Sequence, residues 1–291
     1  MSDECSRVGP ADTQPPLTVV AELSCEADVT NLVDATVKKF GHLDILVNNA
    51  GFAELGSIET TSLEQYDRVM GVNVRAAFQL TRLSVPHLIA TRGNVVNVSS
   101  VGGTRSFPGA VAYCMSKSAV DQMTSCTALE LAAKGVRVNS VNPGVIVTDF
   151  LNRVGMTEDQ IAQYVEHQKE VHPLGRVGEA EEVAQAIAFL ASSSSASFIT
   201  GEHLHVDSGL HVACPRCRLS FTPDQRGRAS RCVTATRAAV HRKQACGVIA
   251  TTHGAVPCRA VPRRTRSGVK EPNFCGDYSR FAKRSWNEKV R

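Results

Sequence analysis

Residues 110–134 read AVAYCMSKSAVDQMTSCTALELAAK, and the rest of the chain is read outward from this stretch. Apolar side chains recur at three- and four-residue steps at Val111, Met115, Ala119, Val120, Met123 and Leu129, with no Gly or Pro between them. That period predicts one long helix. On such a helix Tyr113 and Lys117 are four apart and leave from one face. A phenol ordinarily titrates near ~10 and is a poor acid–base group at neutral pH. An ammonium beside it favours the phenolate, so the pair is expected to lower the phenol toward working range and move protons to or from a carbonyl or alcohol oxygen. The same spacing also arises as a plain surface pair.

Upstream, residues 94–98 (NVVNV) read as a buried strand between Gly93 and the Gly102-Gly103 turn. Ser100 follows this strand directly. Open α/β sheets place chemistry at the C-terminal ends of their parallel strands, so the Ser100 hydroxyl can hold a substrate oxygen against the Tyr113 hydroxyl. It can equally be a turn serine bonded to its own backbone, and Ser99 competes for the role.

Taken together, these residues resemble the short-chain dehydrogenase/reductase family. Tyr113 and Lys117 match its Tyr-x-x-x-Lys signature, Ser100 stands 13 positions before the tyrosine, and Asn73 in VMGVNVRAAF stands 27 before the serine. Asn48-Asn49-Ala50-Gly51 matches its NNAG motif, and Asn142-Pro143-Gly144 with Thr148 matches its cofactor-contacting loop. The resemblance runs from about Leu17 to Val212. It implies an NAD- or NADP-dependent hydride transfer between nicotinamide and a small to medium apolar alcohol or ketone. It also implies catalytic roles for Asn73, Ser100, Tyr113 and Lys117. Ser100 would hold the carbonyl oxygen and Tyr113 would protonate it. Lys117 would bind the nicotinamide ribose, and Asn73 would distort its helix and relay protons through a water. Asn48 would stabilise the central sheet, with Ala50 and Gly51 on the adenosine side of the cofactor and Glu22-Leu23 at the adenine ring. Pro143, Gly144, Ile146 and Thr148 would meet the nicotinamide end. A homo-oligomer packed through the helices near 62–90 and 110–134 is implied as well.

The remaining elements follow from pattern. Residues 17–21 (LTVVA) are β-prone, and Ser24 is a candidate N-cap for a helix through about Lys39 that Gly41 ends. Residues 43–47 (LDILV) read as a buried strand, and Ser62 opens a helix through Tyr66, Val69, Val72, Phe78 and Leu83 to about Pro86. A strand is predicted over 135–141, a short helix over 158–168, a helix over 179–191 and a last strand over 203–206. In the family, residues 149–177 would form the substrate lid. Phe150, Leu151, Met156, Ile161 and Val165 there can line an apolar pocket or face the core of an amphipathic helix. Ser208 stands where the family usually has Gly. His203 and His205 alternate on a strand without a third ligand at useful spacing, and no metal site is expected.

The expected fold is therefore α/β: a Rossmann-like, doubly wound parallel sheet, here lacking the first strands. A dinucleotide's pyrophosphate is held by a Gly-rich turn at a helix N-terminus. No such motif occurs in residues 1–47, so the chain reads as beginning near the family's third strand. Strand 43–47 is then expected to have an open, apolar edge, and cofactor binding to be weakened. The rival to an active enzyme is a catalytically silent truncated form that acts through partner binding.

Composition divides the chain. Of 291 residues, 43% are hydrophobic and 21% charged, as in ordinary globular proteins. No apolar run is long enough for a membrane span, and residues 1–16 are a polar leader without a secretion pattern, so a cytoplasmic setting is expected. The net charge of +4 conceals a basic tail over 214–291 with 18 Lys and Arg against 4 Asp and Glu. That tail also holds six of the ten cysteines and only 12 Leu, Ile, Val and Phe among 78 residues. It is expected to be a disordered extension outside the 17–213 domain. Its charge and aromatic residues offer a lesser case for nucleic acid, and Cys214-Pro-Arg-Cys217 one for half a zinc ribbon.

Overall fold

A computed structural model describes residues 15–213. The expectations for residues 1–14 and for the 214–291 tail, including its cysteines, lie outside the described residues.

Four parallel strands form the central sheet, in the order β1 (Ile45–Asn48), β2 (Asn94–Val98), β3 (Arg137–Pro143) and β6 (His203–Val206). Register is set by side chains that alternate between two apolar layers. Val95 of β2 joins a cluster with Leu88, Ala128, Leu131, Val136 and Val138. Its neighbour Val96 faces the opposite layer, with Val141, Val183 and Leu190. The first layer is covered by α3 (Ala77–Thr91) and α4 (Val111–Ala132), the second by α7 (Ala180–Ala191). Helices on both faces make the sheet doubly wound, as expected for the Rossmann-like class.

Helix α1 (Glu26–Phe40) packs on α3 and ends at Gly41, whose φ of 79° suits a left-handed C-cap. Its N-cap is Cys25, without a side-chain bond. Ser24, expected in that role, donates its hydroxyl to Glu22 instead. Residues 17–21 form no strand, and Val20 is 96% exposed. β-Propensity without a neighbouring strand to pair with leaves the segment extended and irregular. β1 begins two residues later than the pattern suggests. It is buried on one side only: Leu46 packs on the first layer, whereas Ile45 and Val47 are 43% and 40% exposed. Among the described residues β1 is an edge strand, with the open apolar edge that was expected.

Helix α2 (Leu63–Met70) opens on a capping box. Ser62 Oγ accepts from the Gln65 N–H, and Gln65 Oε1 accepts from the Ser62 N–H. A π turn, Gly71–Ala76, then joins α2 to α3. After β3 come the short strand β4 (Ile146–Val147), α5 (Phe150–Arg153), α6 (Glu158–Val171) and β5 (Gly178–Glu179), which pairs with β4. Ser208 adopts φ 59° where glycine would be at ease, and its Oγ accepts from the Leu174 N–H at 2.7 Å.

Helix α4 corrects the periodicity reading. Its buried face carries Ala112, Ser116, Lys117, Val120, Asp121, Thr124, Ala128 and Leu131. Met115 and Leu129, two of the apolar positions that suggested the helix, are 47% and 82% exposed. The buried stripe is partly polar because it faces the C-terminal ends of the strands.

Candidate active site

Lys117 comes to the site from the buried face of α4. Its side chain is 5% exposed, and Nζ donates to the Val98 carbonyl at the end of β2 over 2.9 Å. Burial pulls its pKa down to about 8, against a smaller upward pull from Asp121 one turn on. Tyr113 lies one turn before, with Lys117 Nζ 5.7 Å from the centre of its ring. The Ser100 hydroxyl lies close enough to the phenol to act on its titration. Ser100 Oγ also accepts from the Gly102 N–H at 3.0 Å, which leaves its own hydrogen free to donate. The rival hydroxyl, Ser99, is engaged elsewhere, its Oγ donating to the Lys117 carbonyl at 3.2 Å.

The expected lowering of the phenol is not what the structure gives. Burial pushes the Tyr113 phenol up, and the hydrogen bond from Ser100 offsets this only in part. Lys117 is itself desolvated and bonded to Val98, so its charge does not dominate the phenol. At neutral pH the Tyr113 phenol is therefore protonated.

Asn73 occupies the π turn and is 2% exposed. Its Nδ2 donates to the Phe52 carbonyl and to Ser116 Oγ, each at 2.9 Å, and its Oδ1 accepts from the Phe52 N–H at 3.0 Å. Ser116 Oγ in turn donates to the Tyr113 carbonyl at 2.7 Å. One carboxamide thus pins the turn after β1 to α4. That turn carries Ala50 and Gly51. A Cβ on Gly51 would lie 3.2 Å from Asn73 Oδ1 and 3.4 Å from Lys117 Nζ, so the missing side chain keeps room beside the ammonium. Asn48 ties β1 to β2 and α3, donating to Asn97 Oδ1 at 2.8 Å and to Thr81 Oγ1 at 3.0 Å.

On the far side of Ser100, Asn142 donates to the Ser100 carbonyl at 3.1 Å and to both Asp121 oxygens. Pro143 is buried at the end of β3, Gly144 donates its N–H to the Val206 carbonyl, and Ile146 packs into the second layer. Thr148 is exposed, and its Oγ1 accepts from the Phe150 N–H. The Phe150 ring centre is 6.0 Å from that of Tyr113, and Tyr164 of α6 is close enough to act on the Tyr113 charge. Glu22 is exposed and Leu23 half-buried; the Glu22 carboxylate accepts from the Ser24 N–H and hydroxyl. Ser100, Tyr113, Lys117, Asn73 and Gly51 are brought together, whereas the contacts of Glu22 are local.

Sequence reasoning missed Asp121, Ser116, Tyr164 and His172. Asp121 had a signal, since it continues the four-residue step from Tyr113 and Lys117. Each of the other three has a partner far off in the chain, Asn73 for Ser116, Tyr113 for Tyr164 and Val145 for His172, and no spacing announces those pairs. Among the described residues no three His, Cys, Asp or Glu side chains are grouped as a metal site.

Comparison with known proteins finds relatives over most of the described residues. A family model described as Enoyl-(Acyl carrier protein) reductase matches residues 5–211. The chain is 42% identical over 185 residues to the 3-oxoacyl-acyl-carrier-protein reductase FabG of Thermotoga maritima, covering 63% of this chain and 72% of that one. It is 40% identical over 198 residues to 2-(R)-hydroxypropyl-CoM dehydrogenase of Xanthobacter autotrophicus, covering 66% and 76%. A cofactor-bound short-chain dehydrogenase/reductase of unknown function from Caenorhabditis elegans superposes with a TM-score of 0.63 at 35% identity, over 68% of this chain and 76% of that one.

The lysine gives a test on stability. A folded-state pKa of about 8 against an ordinary 10.5 means the unfolded chain binds more protons between those values. The penalty for burying the charge is then fully present below pH 8 and is relieved as pH rises toward 10.5. Urea unfolding at pH 7 and pH 10 should show wild type gaining stability relative to Lys117→Met, by an amount on the order of a few kcal/mol. Equal pH dependence in the two proteins would show that Lys117 is solvated.

Proposed function

Because the chain belongs to the short-chain dehydrogenase/reductase family, whose members are NAD(P)-dependent oxidoreductases, we propose that its substrate is a small to medium apolar alcohol or ketone. The observation that carries this reading is the meeting of Ser100, Tyr113 and Lys117 beside the Phe150 ring. The residues fit the nicotinamide half of a dinucleotide. Lys117 has donors to spare beyond its bond to Val98, and Gly51 keeps space beside it. Tyr113, Lys117, Asn48, Ala50, Gly51, Pro143, Gly144, Ile146 and Thr148 are the residues assigned to hold it, with Glu22 and Leu23 toward adenine.

When bound, the nicotinamide supplies the hydride to the substrate carbon in reduction and accepts it in oxidation. In the reducing direction Ser100 turns its hydroxyl hydrogen from the phenol to the substrate carbonyl oxygen. Tyr113, kept protonated by burial, passes its proton to that oxygen as negative charge develops there. Lys117 orients the cofactor ribose and restores the phenol's proton. The Asn73 carboxamide is fully engaged by Phe52 and Ser116. Phe150 and Tyr164 supply the apolar and aromatic wall that favours an apolar substrate.

One observation favours a second reading, a catalytically silent chain that acts through a partner. No described residue lies in a glycine-rich strand-to-helix turn of the kind that takes a pyrophosphate. Steady-state oxidation of NADH and NADPH against a panel of ketones separates the two. The enzyme reading expects turnover that falls by at least about 100-fold in Tyr113→Phe. A wild type as inactive as that variant, with no binding heat for either cofactor, selects the second reading.

We also propose that the chain forms a homo-oligomer. Phe78, 55% exposed on α3, lines a cavity of about 470 Å³ together with Met70, Val74 and Met123, with Asp67 and Arg75 also in its lining. An apolar face of this kind suits a second copy of the same face. Sedimentation velocity should find a dimer or larger; a monomer at all concentrations would contradict it.

A further inference from the structure

We infer that His172 is a positioning residue whose neutral imidazole joins the end of the α6 lid helix to the loop 144–148, setting that loop for the nicotinamide carboxamide. The inference rests on the NAD(P)-dependent reading for its purpose, though not for its geometry.

His172 caps α6 and is 3% exposed. Its Nδ1 lies 2.9 Å from the Gln168 carbonyl, which can only accept, so Nδ1 carries the hydrogen. In a neutral ring Nε2 is then bare, and it accepts from the Val145 N–H at 3.3 Å. Each ring nitrogen is thus matched to a backbone group, one on the lid helix and one on the loop. Gly144 makes the approach possible. A Cβ there would stand 2.9 Å from His172 Nε2 and 3.0 Å from Asp207 Cα, leaving no room for the ring.

The loop is held on its other sides by backbone bonds and by Ile146, which packs into the second apolar layer. Gly144 N–H donates to the Val206 carbonyl of β6, and the Val145 carbonyl accepts from the Gly178 N–H. Without the imidazole the Val145 N–H would be a partly buried donor with no acceptor, a costly state that the loop would escape by shifting. The loop also carries Ile146 and Thr148, two of the residues assigned to the cofactor. Hence the last turn of the lid and the cofactor-facing backbone move as one unit, and the side chain that couples them never touches the reacting atoms. It acts by orientation, so a small displacement there is felt at the site.

The test pairs two variants with two readouts. His172→Leu keeps the bulk and removes the acceptor; His172→Gln restores an acceptor near the place of Nε2. Amide hydrogen exchange at Val145 in the free protein should accelerate roughly tenfold in the Leu variant, about the worth of one hydrogen bond. It should return toward wild type in the Gln variant, with α4 amides unchanged in both. The NADH or NADPH concentration giving half-maximal oxidation should rise by a similar factor in Leu and recover in Gln. Unchanged exchange at Val145 in His172→Leu overturns the inference, as does faster exchange with an unaltered cofactor requirement. If wild type neither binds nor oxidises either cofactor, the functional reading fails, and the exchange readout alone still decides whether the imidazole holds the loop.

Discussion

A lysine ammonium buried where a helix crosses the end of a parallel strand is the constraint on which the site depends. Burying that charge is costly, and the fold offsets the cost locally. The Val98 carbonyl accepts from Nζ, and the Asp121 carboxylate lies one turn further along α4. The same geometry limits what surrounds it. Gly51 and Gly103 meet Asn73, Lys117 and Asp121 where a side chain would collide or crowd. Ser99 spends its hydroxyl on the lysine's own carbonyl, which leaves Ser100 alone to face the phenol.

Around this lysine the structure is wired by carboxamides more than by charges. Asn48 and Asn97 connect β1, β2, α3 and α4, with Asn97 donating to Thr124 at 2.8 Å. Asn73 connects the turn after β1 to α4, and Asn142 connects β3 to the Ser100 carbonyl and Asp121. A carboxamide offers donors and an acceptor together, so it can bridge two backbone segments without carrying a charge into the interior. That explains the buried Asn48, Asn73, Asn97 and Asn142 around Lys117, which among the described residues is the one buried Lys or Arg. The arrangement suits proton transfer, since neutral neighbours leave the Tyr113 phenol and the Lys117 ammonium as the groups whose protons can move.

Local chemistry carried much of this into the sequence. The helix start at Ser62, the glycine stop at Gly41 and the buried strand β2 follow from neighbours in the chain and appear where those rules place them, while β3 begins two residues later than its pattern suggests. The spacing of Tyr113 and Lys117 on one helix face was legible for the same reason. What was hidden depends on partners far away in sequence. Residues 17–21 have strand propensity but no strand beside them. Ser24 has capping chemistry, yet Glu22 captures its hydroxyl. The apolar period that revealed α4 belongs partly to its exposed face, while its buried face is polar. The direction of the Tyr113 shift was also beyond reach, because burial outweighs the neighbouring cation and burial is a property of the assembled fold.

The account stands on a physical coupling between one hydroxyl and one phenol drawn from separate segments of the chain. The most direct measurement is an ultraviolet titration of Tyr113, taken as the difference between the protein and its Tyr113→Phe variant, with and without Ser100→Ala. The account predicts a phenol that titrates above its ordinary value of 10.0 and moves higher still when the Ser100 hydroxyl is removed. A phenol that titrates as in water, indifferent to residue 100, would contradict it.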